Sequence, residues 1–234
     1  ILRKPRTGSV RGFLRLGCEV MRYDLVIFDN DGVLVDSEPI SNRLLAAYLT
    51  ELGHPTSYED SIRDYMGSAM HRIHDLVLER TGERLPDEFD DVFHRRVFDA
   101  FERELKPVGG AVDVLERLAG AGVPYCVASS GSHERIRVGH RTTGLDRWFE
   151  ESRVFSSQDV GRGKPAPDLF LYAAQRMGVA PGRCVVVEDS PLGVQAAVAA
   201  GMDVYGFTAM TPADRLAGAT QLFSDMGELA DLLM

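Results

Sequence analysis

Two aspartates stand one residue apart, immediately after an apolar segment. Residues 23–28 are almost entirely apolar, and Asp29, Asn30, Asp31 and Gly32 follow them. In an extended chain alternate side chains point to the same side, so both carboxylates can face one ligand, and Gly32 lets the chain turn away. One carboxylate can attack phosphorus as a nucleophile, and the other can protonate a leaving oxygen and then deprotonate water. An ordinary turn rich in aspartate and asparagine has the same composition, so the pair needs support from elsewhere in the chain.

Further polar residues follow other apolar segments or lie between them. Two serines follow residues 123–128, and their hydroxyl and backbone N–H groups before a helix can bind an anion. Two acidic residues follow residues 184–187, and a lysine lies in a loop that two prolines stiffen. Each feature alone also fits a plain turn or a surface loop. The residues in question are Ser129, Ser130, Lys164, Glu188 and Asp189.

The apolar segments predict the elements that position these side chains. Four of them are continuous rather than alternating, which is typical of strands buried on both faces of a parallel sheet. Helical patterns lie between them, so we expect an α/β fold with a doubly wound parallel sheet. Ligands bind at the carboxyl ends of the strands in such sheets, where most of these polar residues stand. The segments are residues 23–28, 123–128, 184–187 and 204–207.

One region contains only helical patterns. Between residues 38 and 105, apolar residues recur at helical spacing, and no strand pattern interrupts them. We therefore predict an α/β core of residues 21–37 and 106–234, and an inserted small helical cap of residues 38–105. The Met and Phe residues of the cap are expected to form its own core. A cap inserted after the first strand would lie over the end of that strand.

The predicted cluster of carboxylates requires compensation of its charge. Asp29, Asp31, Glu188 and Asp189 would converge at one edge of the sheet, where either their pKa values rise or a cation joins them. Carboxylate and carbonyl oxygens suit Mg²⁺, whereas no His or Cys cluster has the spacing of a zinc site. Mg²⁺ is therefore the expected metal.

The composition is that of a globular protein and limits the classes of partner. The chain has 234 residues, of which 44% are hydrophobic and 26% charged, and its formal net charge is −9 at pH 7. Such a charge disfavours nucleic acid and anionic membranes as partners, and no apolar stretch is long enough to span a bilayer. The cysteines Cys18, Cys126 and Cys184 have no CxxC spacing and favour buried thiols in a reducing compartment, so we expect a cytoplasmic location. Nothing in the sequence indicates an oligomeric state.

The first twenty residues differ from the rest in charge. Residues 1–20 contain five basic residues and one acidic residue, and the first methionine, Met21, stands just before the first predicted strand. A transit peptide and a lipoprotein signal at Cys18 are alternatives, but serine is scarce and no apolar segment precedes Cys18. We favour a non-native or extension segment that takes no part in the fold.

Together, these motifs resemble those of the haloacid dehalogenase superfamily. Residues 28–38 resemble its first motif, Ser129 its second, Lys164 its third, and Glu188 with Asp189 its acidic fourth motif. Their order and spacing agree, and the predicted helical insert lies where the superfamily places a small cap. The resemblance covers residues 21 to about 207 and implies a Rossmann-like core, this cap, and Mg²⁺-dependent phosphoryl transfer.

The resemblance also implies a role for each site residue. Asp29 would be the nucleophile, and Asp31 would be the general acid and base. Ser129 and Lys164 would hold the transferring phosphoryl oxygens; Ser130 is expected in the phosphate site from its place in the loop after the second strand, not from the resemblance. The implied metal ligands are Asp29, Asp31 through its backbone carbonyl, Asp189, and Glu188 either beside it or through water.

Within the superfamily, the chain is most similar to the branch that contains beta-phosphoglucomutase and sugar-phosphate phosphatases. Mutases of that branch carry a His on the first cap helix, where this chain has Ser41, and an Arg on a cap loop, where it has Met70. His71 or Arg72 could fill the second position after a small shift. We therefore predict a phosphatase for a small phosphorylated metabolite, such as a sugar or sugar-acid phosphate, with a phosphomutase as the alternative. A catalytically silent binder of phosphorylated ligands is a third hypothesis, disfavoured because a binder needs no nucleophile.

Overall fold

The structure, a computed structural model, describes residues 22–66 and 70–233. The predicted extension of residues 1–20, including Cys18, lies outside the described residues, and so do residues 67–69 before α3. None of the helices within the described ranges is long and apolar enough to cross a membrane.

Within the described residues, six parallel strands form one sheet. They are β1 (Leu25–Phe28), β2 (Tyr125–Ser129), β3 (Val154–Ser156), β4 (Cys184–Glu188), β5 (Asp203–Phe207) and β6 (Gln221–Phe223). Their order across the sheet is β3-β2-β1-β4-β5-β6, which confirms the predicted doubly wound α/β fold. The four strands predicted from the sequence are the central ones, β2, β1, β4 and β5, whereas β3 and β6 are short edge strands.

Helices cover both faces of this sheet and fill the long segment after β1. They are α1 (Glu38–Glu51), α2 (Tyr58–Tyr65), α3 (Met70–Thr81), α4 (Phe89–Glu104), α5 (Ala111–Ala121), α6 (His133–Thr143), α7 (Asp168–Met177), α8 (Pro191–Ala199) and α9 (Met226–Leu233). Local signals explain several boundaries. Ser190 caps α8 by accepting the backbone N–H of Gly193 at 3.1 Å, and Ser57 with Asp60 forms a capping box on α2.

Side chains of the strands alternate between two hydrophobic clusters, one on each face of the sheet. Val26 and Phe28 pack on one side with α5 and α9, and Leu25 and Ile27 pack on the other with α7 and α8. Because both faces are covered, the strands have continuous apolar sequences. The second cluster also contains the free thiols of Cys126 and Cys184, which are buried as predicted.

Helices α1 to α4 follow β1 in the chain and pack through aromatic side chains. Tyr48 of α1 stacks on Phe89 of α4 with ring centroids 5.0 Å apart, and Phe89 lies 6.2 Å from Phe93. These rings belong to the same hydrophobic cluster as Val26 and Phe28 of β1. The aromatic residues are therefore core, as expected, but this core continues into the sheet. The division of the chain into two domains stays a prediction.

Candidate active site

The carboxyl ends of β1, β2 and β4 meet at a cavity of about 410 Å³. Phe28 of β1 pairs with Val127 of β2 and with Val187 of β4, so the polar residues that follow emerge side by side. Ser129 is the buried last residue of β2. The other six predicted site residues line the cavity together: Asp29, Asp31, Ser130, Lys164, Glu188 and Asp189.

Lys164 bridges the first aspartate and the glutamate of the site. Its ammonium group donates to Asp29 Oδ1 and to Glu188 Oε1, each at 2.7 Å. The side chain of Lys164 is only 4% exposed, and that of Glu188 is fully buried. Burial disfavours the charged lysine, but the two carboxylates hold the pKa of Lys164 well above its usual value. The ammonium is therefore a fixed positive charge next to the end of β1.

Both carboxylate oxygens of Glu188 are occupied by donors. Oε1 accepts from Lys164, and Oε2 accepts from the backbone N–H of Ser190 at 2.8 Å and from its hydroxyl at 3.0 Å. Gly193 of α8 leaves room for the side chain of Glu188, because a Cβ atom at Gly193 would lie 1.8 Å from Glu188 Oε1. Glu188 thus joins Lys164 to the first turn of α8, with a donor on each of its carboxylate oxygens.

Three carboxylates form a candidate site for a divalent cation. Oxygen atoms of Asp29, Glu188 and Asp189 all lie within 4.8 Å of one another. Burial raises the pKa of Asp29 to about 7, and burial with repulsion from Glu188 and Asp29 raises the pKa of Asp189 well above its usual value. Gly32 permits the close approach, because a Cβ there would lie 2.1 Å from Asp189 Oδ2. Buried acids that resist ionisation, with oxygen donors alone, fit a hard cation such as Mg²⁺.

Asp31 is held by an arginine that no sequence motif indicated. Arg135 of α6 donates to Asp31 Oδ1 from Nη2 at 2.7 Å and from Nε at 3.2 Å. Burial acts to raise the pKa of Asp31, but Arg135 holds it below its usual value. The neighbouring Glu38 also lines the cavity, and burial with the charge of Asp31 raises its pKa to about 7. The one sequence signal for Arg135 was its place in the first turn after the Ser129 loop.

The loop after β2 is fixed by hydrogen bonds. Ser129 Oγ accepts from the backbone N–H of Gly131 at 3.0 Å. The hydroxyls of Ser156 and Ser157 donate to the carbonyl oxygens of Gly131 at 2.6 Å and of Ser130 at 2.8 Å. A loop held in this way keeps its backbone donors in place for an anion.

The positions that distinguish mutases do not line the described cavity. Ser41 and Met70 are absent from its described wall, and so are the exposed His71 and Arg72 of α3. Residues 67–69 lie outside the described part of the chain. Further polar residues complete the wall. Those from the helical insert and from the core loop after β5 are Glu38, His94, Thr211 and Arg215. Glu38 ends the segment that resembles the first motif, whereas no motif marks the other three, which could not be found from the sequence.

A family model for haloacid dehalogenase-like hydrolases matches residues 23–201. The 6-phosphogluconate phosphatase of Escherichia coli (strain K12) is 32% identical over 189 residues, which cover 80% of this chain and 84% of that protein. Hexitol phosphatase A of the same organism is 34% identical over 199 residues, which cover 84% of this chain and 88% of that protein.

Solved structures are also similar to this chain over most of its length. A conserved haloacid dehalogenase-like protein of unknown function from Agrobacterium tumefaciens str. C58 matches with a TM-score of 0.82 at 38% identity, covering 90% of this chain and 97% of that chain. A putative beta-phosphoglucomutase from Thermotoga maritima matches with a TM-score of 0.72 at 28% identity, covering 90% and 98%. The predicted family, its beta-phosphoglucomutase-like branch and the class of phosphoric monoester hydrolase are confirmed. This chain belongs to the haloacid dehalogenase-like hydrolases.

Proposed function

We propose that this chain is a Mg²⁺-dependent phosphatase that hydrolyses a sugar or sugar-acid phosphate through an aspartyl phosphate on Asp29. The observation that carries the proposal is the buried cluster of Asp29, Lys164 and Glu188 at the cavity, with Asp31 two residues from Asp29. A nucleophile, a fixed positive charge and a second carboxylate are the groups that phosphoryl transfer through an acyl phosphate needs.

In the first half-reaction, a carboxylate oxygen of Asp29 attacks phosphorus, and the bond from phosphorus to the ester oxygen breaks. Lys164 and the loop of Ser129 and Ser130 hold the phosphoryl oxygens and offset their charge. Asp31 gives its proton to the departing oxygen, so the alcohol leaves as a neutral molecule.

In the second half-reaction, the ionised Asp31 takes a proton from water, and the water oxygen attacks the phosphorus of the aspartyl phosphate. The bond from phosphorus to Asp29 breaks, inorganic phosphate leaves, and the Asp29 carboxylate is restored. Asp31 then carries the proton that the next leaving group needs. Arg135, at 2.7 Å, stabilises Asp31 whenever it is ionised.

Asp29 and Asp189 are the residues that would hold Mg²⁺ directly. Within the described residues, no hydrogen-bond donor occupies Asp29 Oδ2 or either carboxylate oxygen of Asp189, whereas both oxygens of Glu188 are engaged. Glu188 would therefore act through water, and Asp31 would add its backbone carbonyl. When bound, the cation neutralises negative charge on the phosphoryl group and on the carboxylates.

The substrate class is supported by the cavity and by the relatives. A volume of about 410 Å³ accommodates a six-carbon sugar phosphate, and Glu38, His94 and Arg215 place polar groups on the cavity wall for its hydroxyls or carboxylate. The two curated relatives bear the names of a 6-phosphogluconate phosphatase and a hexitol phosphatase.

Hydrolysis is favoured over phosphate transfer within a sugar because of the residues at the mutase positions. Ser41 is short and Met70 has no hydrogen-bond donor, so neither replaces an imidazole or a guanidinium in holding a sugar as the phosphoryl acceptor. Water is then the acceptor that Asp31 can activate.

Release of inorganic phosphate from 6-phosphogluconate and sorbitol 6-phosphate, with Mg²⁺ present, tests the proposed function. Asp29→Asn keeps the shape of the site but removes the nucleophile, so kcat should fall by at least ~10³-fold. The matched control is Asp24→Asn, because Asp24 is an exposed carboxylate that pairs with Arg183 outside the cavity. Activity of Asp29→Asn within tenfold of wild type, or no phosphate release by the wild type from any sugar phosphate, would contradict it.

A further inference from the structure

Two side chains of α6 hold the segment that carries Asp31, one directly and one through Asn30. The helix begins at the Ser129–Ser130 loop, where Ser132 caps it by accepting the backbone N–H of Arg135 at 3.2 Å. Arg135 lies in the first turn, and His140 lies near the other end of the helix. Arg135 lines the cavity beside Asp31, whereas His140 is buried.

The guanidinium group of Arg135 has little freedom. It donates twice to Asp31 Oδ1, at 2.7 and 3.2 Å, and lies 4.6 Å from the centroid of the Phe101 ring of α4. The side chains of Arg135 and Asp31 are only 20% and 19% exposed. A planar donor group fixed on an aromatic ring determines where the Oδ1 atom of Asp31 lies.

The second oxygen of Asp31 is held through Asn30. Asp31 Oδ2 accepts from Asn30 Nδ2 at 3.3 Å, and Asn30 Oδ1 lies 2.9 Å from Nε2 of His140. Because an amide oxygen only accepts, we assign the proton of the His140 ring to Nε2. That hydrogen bond fixes which way the Asn30 amide faces. His140 is 3% exposed and packs against Phe149, so the ring cannot turn away.

We propose that Arg135 and His140 are positioning residues that orient the Asp31 carboxyl group for proton transfer to the leaving oxygen. The inference rests on the proposed phosphatase function. The proton moves from Asp31 to the ester oxygen while the bond between phosphorus and that oxygen breaks, which leaves a full negative charge on Asp31. The guanidinium group of Arg135 stabilises this charge on Oδ1, and Asn30, held by His140, keeps Oδ2 in place.

The dependence of rate on the leaving group separates this role from a merely structural one. A sugar phosphate releases a strongly basic alkoxide, which needs a proton as it departs, whereas p-nitrophenyl phosphate releases a stable phenolate that does not. The value of kcat/KM reports the steps up to departure of the leaving group. A misoriented Asp31 should therefore lower kcat/KM for the sugar phosphate and spare that for p-nitrophenyl phosphate.

Arg135→Gln should lower kcat/KM at least ~30-fold for sorbitol 6-phosphate and less than ~5-fold for p-nitrophenyl phosphate, since general acid catalysis contributes about 10²–10⁴-fold. Arg135→Lys keeps one charged donor, should show the same selectivity to a smaller degree, and serves as the second variant if Arg135→Gln does not fold. Arg141→Gln removes an exposed arginine of the same helix and should match the wild type.

The role of His140 is tested with two substitutions, of which only one keeps a hydrogen-bond donor. His140→Leu should lower kcat/KM for sorbitol 6-phosphate about tenfold, selectively, whereas His140→Gln retains a donor for Asn30 and should stay within ~3-fold of wild type. Equal losses on both esters, or no loss in any variant, would overturn the inference. Failure of the proposed function is distinguishable, because the wild type would then release no phosphate from either ester or Asp29→Asn would remain active.

Discussion

Gly193→Ala tests whether the first turn of α8 confines Glu188 and, through it, Lys164. In a helix, alanine is usually favoured over glycine by about 1 kcal/mol. At this buried position, however, the added Cβ would lie 1.8 Å from Oε1, 2.0 Å from Cδ and 2.5 Å from Cγ of Glu188. The substitution therefore cannot be accommodated unless Glu188 moves.

The expected loss of stability and activity follows from the contacts that this movement breaks. Glu188 would lose its 2.7 Å contact with Lys164, and the hydrogen bonds from Ser190 to Oε2 would be disturbed. Overpacking costs about 1–3 kcal/mol, and a lost buried hydrogen bond to a charged group costs about 1.5–3 kcal/mol. After the gain in helix propensity, the free energy of unfolding should fall by about 1.5–5 kcal/mol. Because Lys164 loses one of its two anchors, kcat should fall at least ~10-fold.

Gly120→Ala is the matched control. Gly120 lies in α5, and nothing beyond its own helix backbone lies within 4 Å of the Cβ it would gain, so the same substitution should raise the free energy of unfolding by about 0.5–1 kcal/mol. Urea unfolding followed by circular dichroism, with phosphate release measured on the same samples, reads both effects. A Gly193→Ala protein as stable and as active as the wild type would refute the reasoning, because Glu188 would then not be confined.

Three further predictions concern the metal, the product and pH. EDTA should abolish phosphate release and added Mg²⁺ should restore it, because the clustered carboxylates need a cation; full activity in metal-free buffer would contradict this. Given a hexose 1-phosphate with a trace of the bisphosphate, the enzyme should yield inorganic phosphate in phosphorus NMR, whereas clean conversion to the 6-phosphate would identify a mutase. Burial lowers the pKa of His140 from 6.5 to about 4, so the unfolded chain binds a proton there that the folded chain does not. The contribution of this group to the free energy of unfolding is complete above pH 6.5. It decreases as the pH is lowered, by about 2 kcal/mol between pH 7 and pH 5. Urea unfolding at both pH values should therefore show a smaller fall for His140→Gln than for the wild type, and equal falls would exclude His140 as the cause.

The central strands could be predicted from the sequence because their burial on both faces leaves no polar residue in the pattern. The edge strands could not. Val154–Ser156 and Gln221–Phe223 have only three residues each, and two residues of the second are exposed, so neither has a distinctive periodicity. Helix α6 was equally hard to recognise, because among its eleven residues only Ile136, Gly139 and His140 are buried.

The residues of the candidate active site also divide into those that a local sequence pattern predicts and those that it does not. Asp29, Asp31, Glu188 and Asp189 were predictable because they lie within three residues of the end of a strand pattern, and parallel strands bring such ends together. The contacts of Arg135 and His140 were not, because they depend on where α6 packs against the end of β1. Asp31 and Arg135 are 104 positions apart in the sequence, and no local pattern joins them.

The pKa values of the two aspartates after β1 move in opposite directions, and this bears on the order of events in the site. Burial raises the pKa of Asp29 to about 7, whereas Arg135 overcomes burial and holds that of Asp31 below its usual value. In terms of the proposed mechanism, Asp31 is thus in the form that would take a proton from water, and Asp29 is partly in the form that could not attack phosphorus. A dianionic phosphoryl group beside Asp31 favours its protonated form, and positive charge beside Asp29 favours its ionised form. In the proposed mechanism, the nucleophile and the acid would therefore reach their reactive forms together only when substrate and cation are both bound, which would confine attack to that complex.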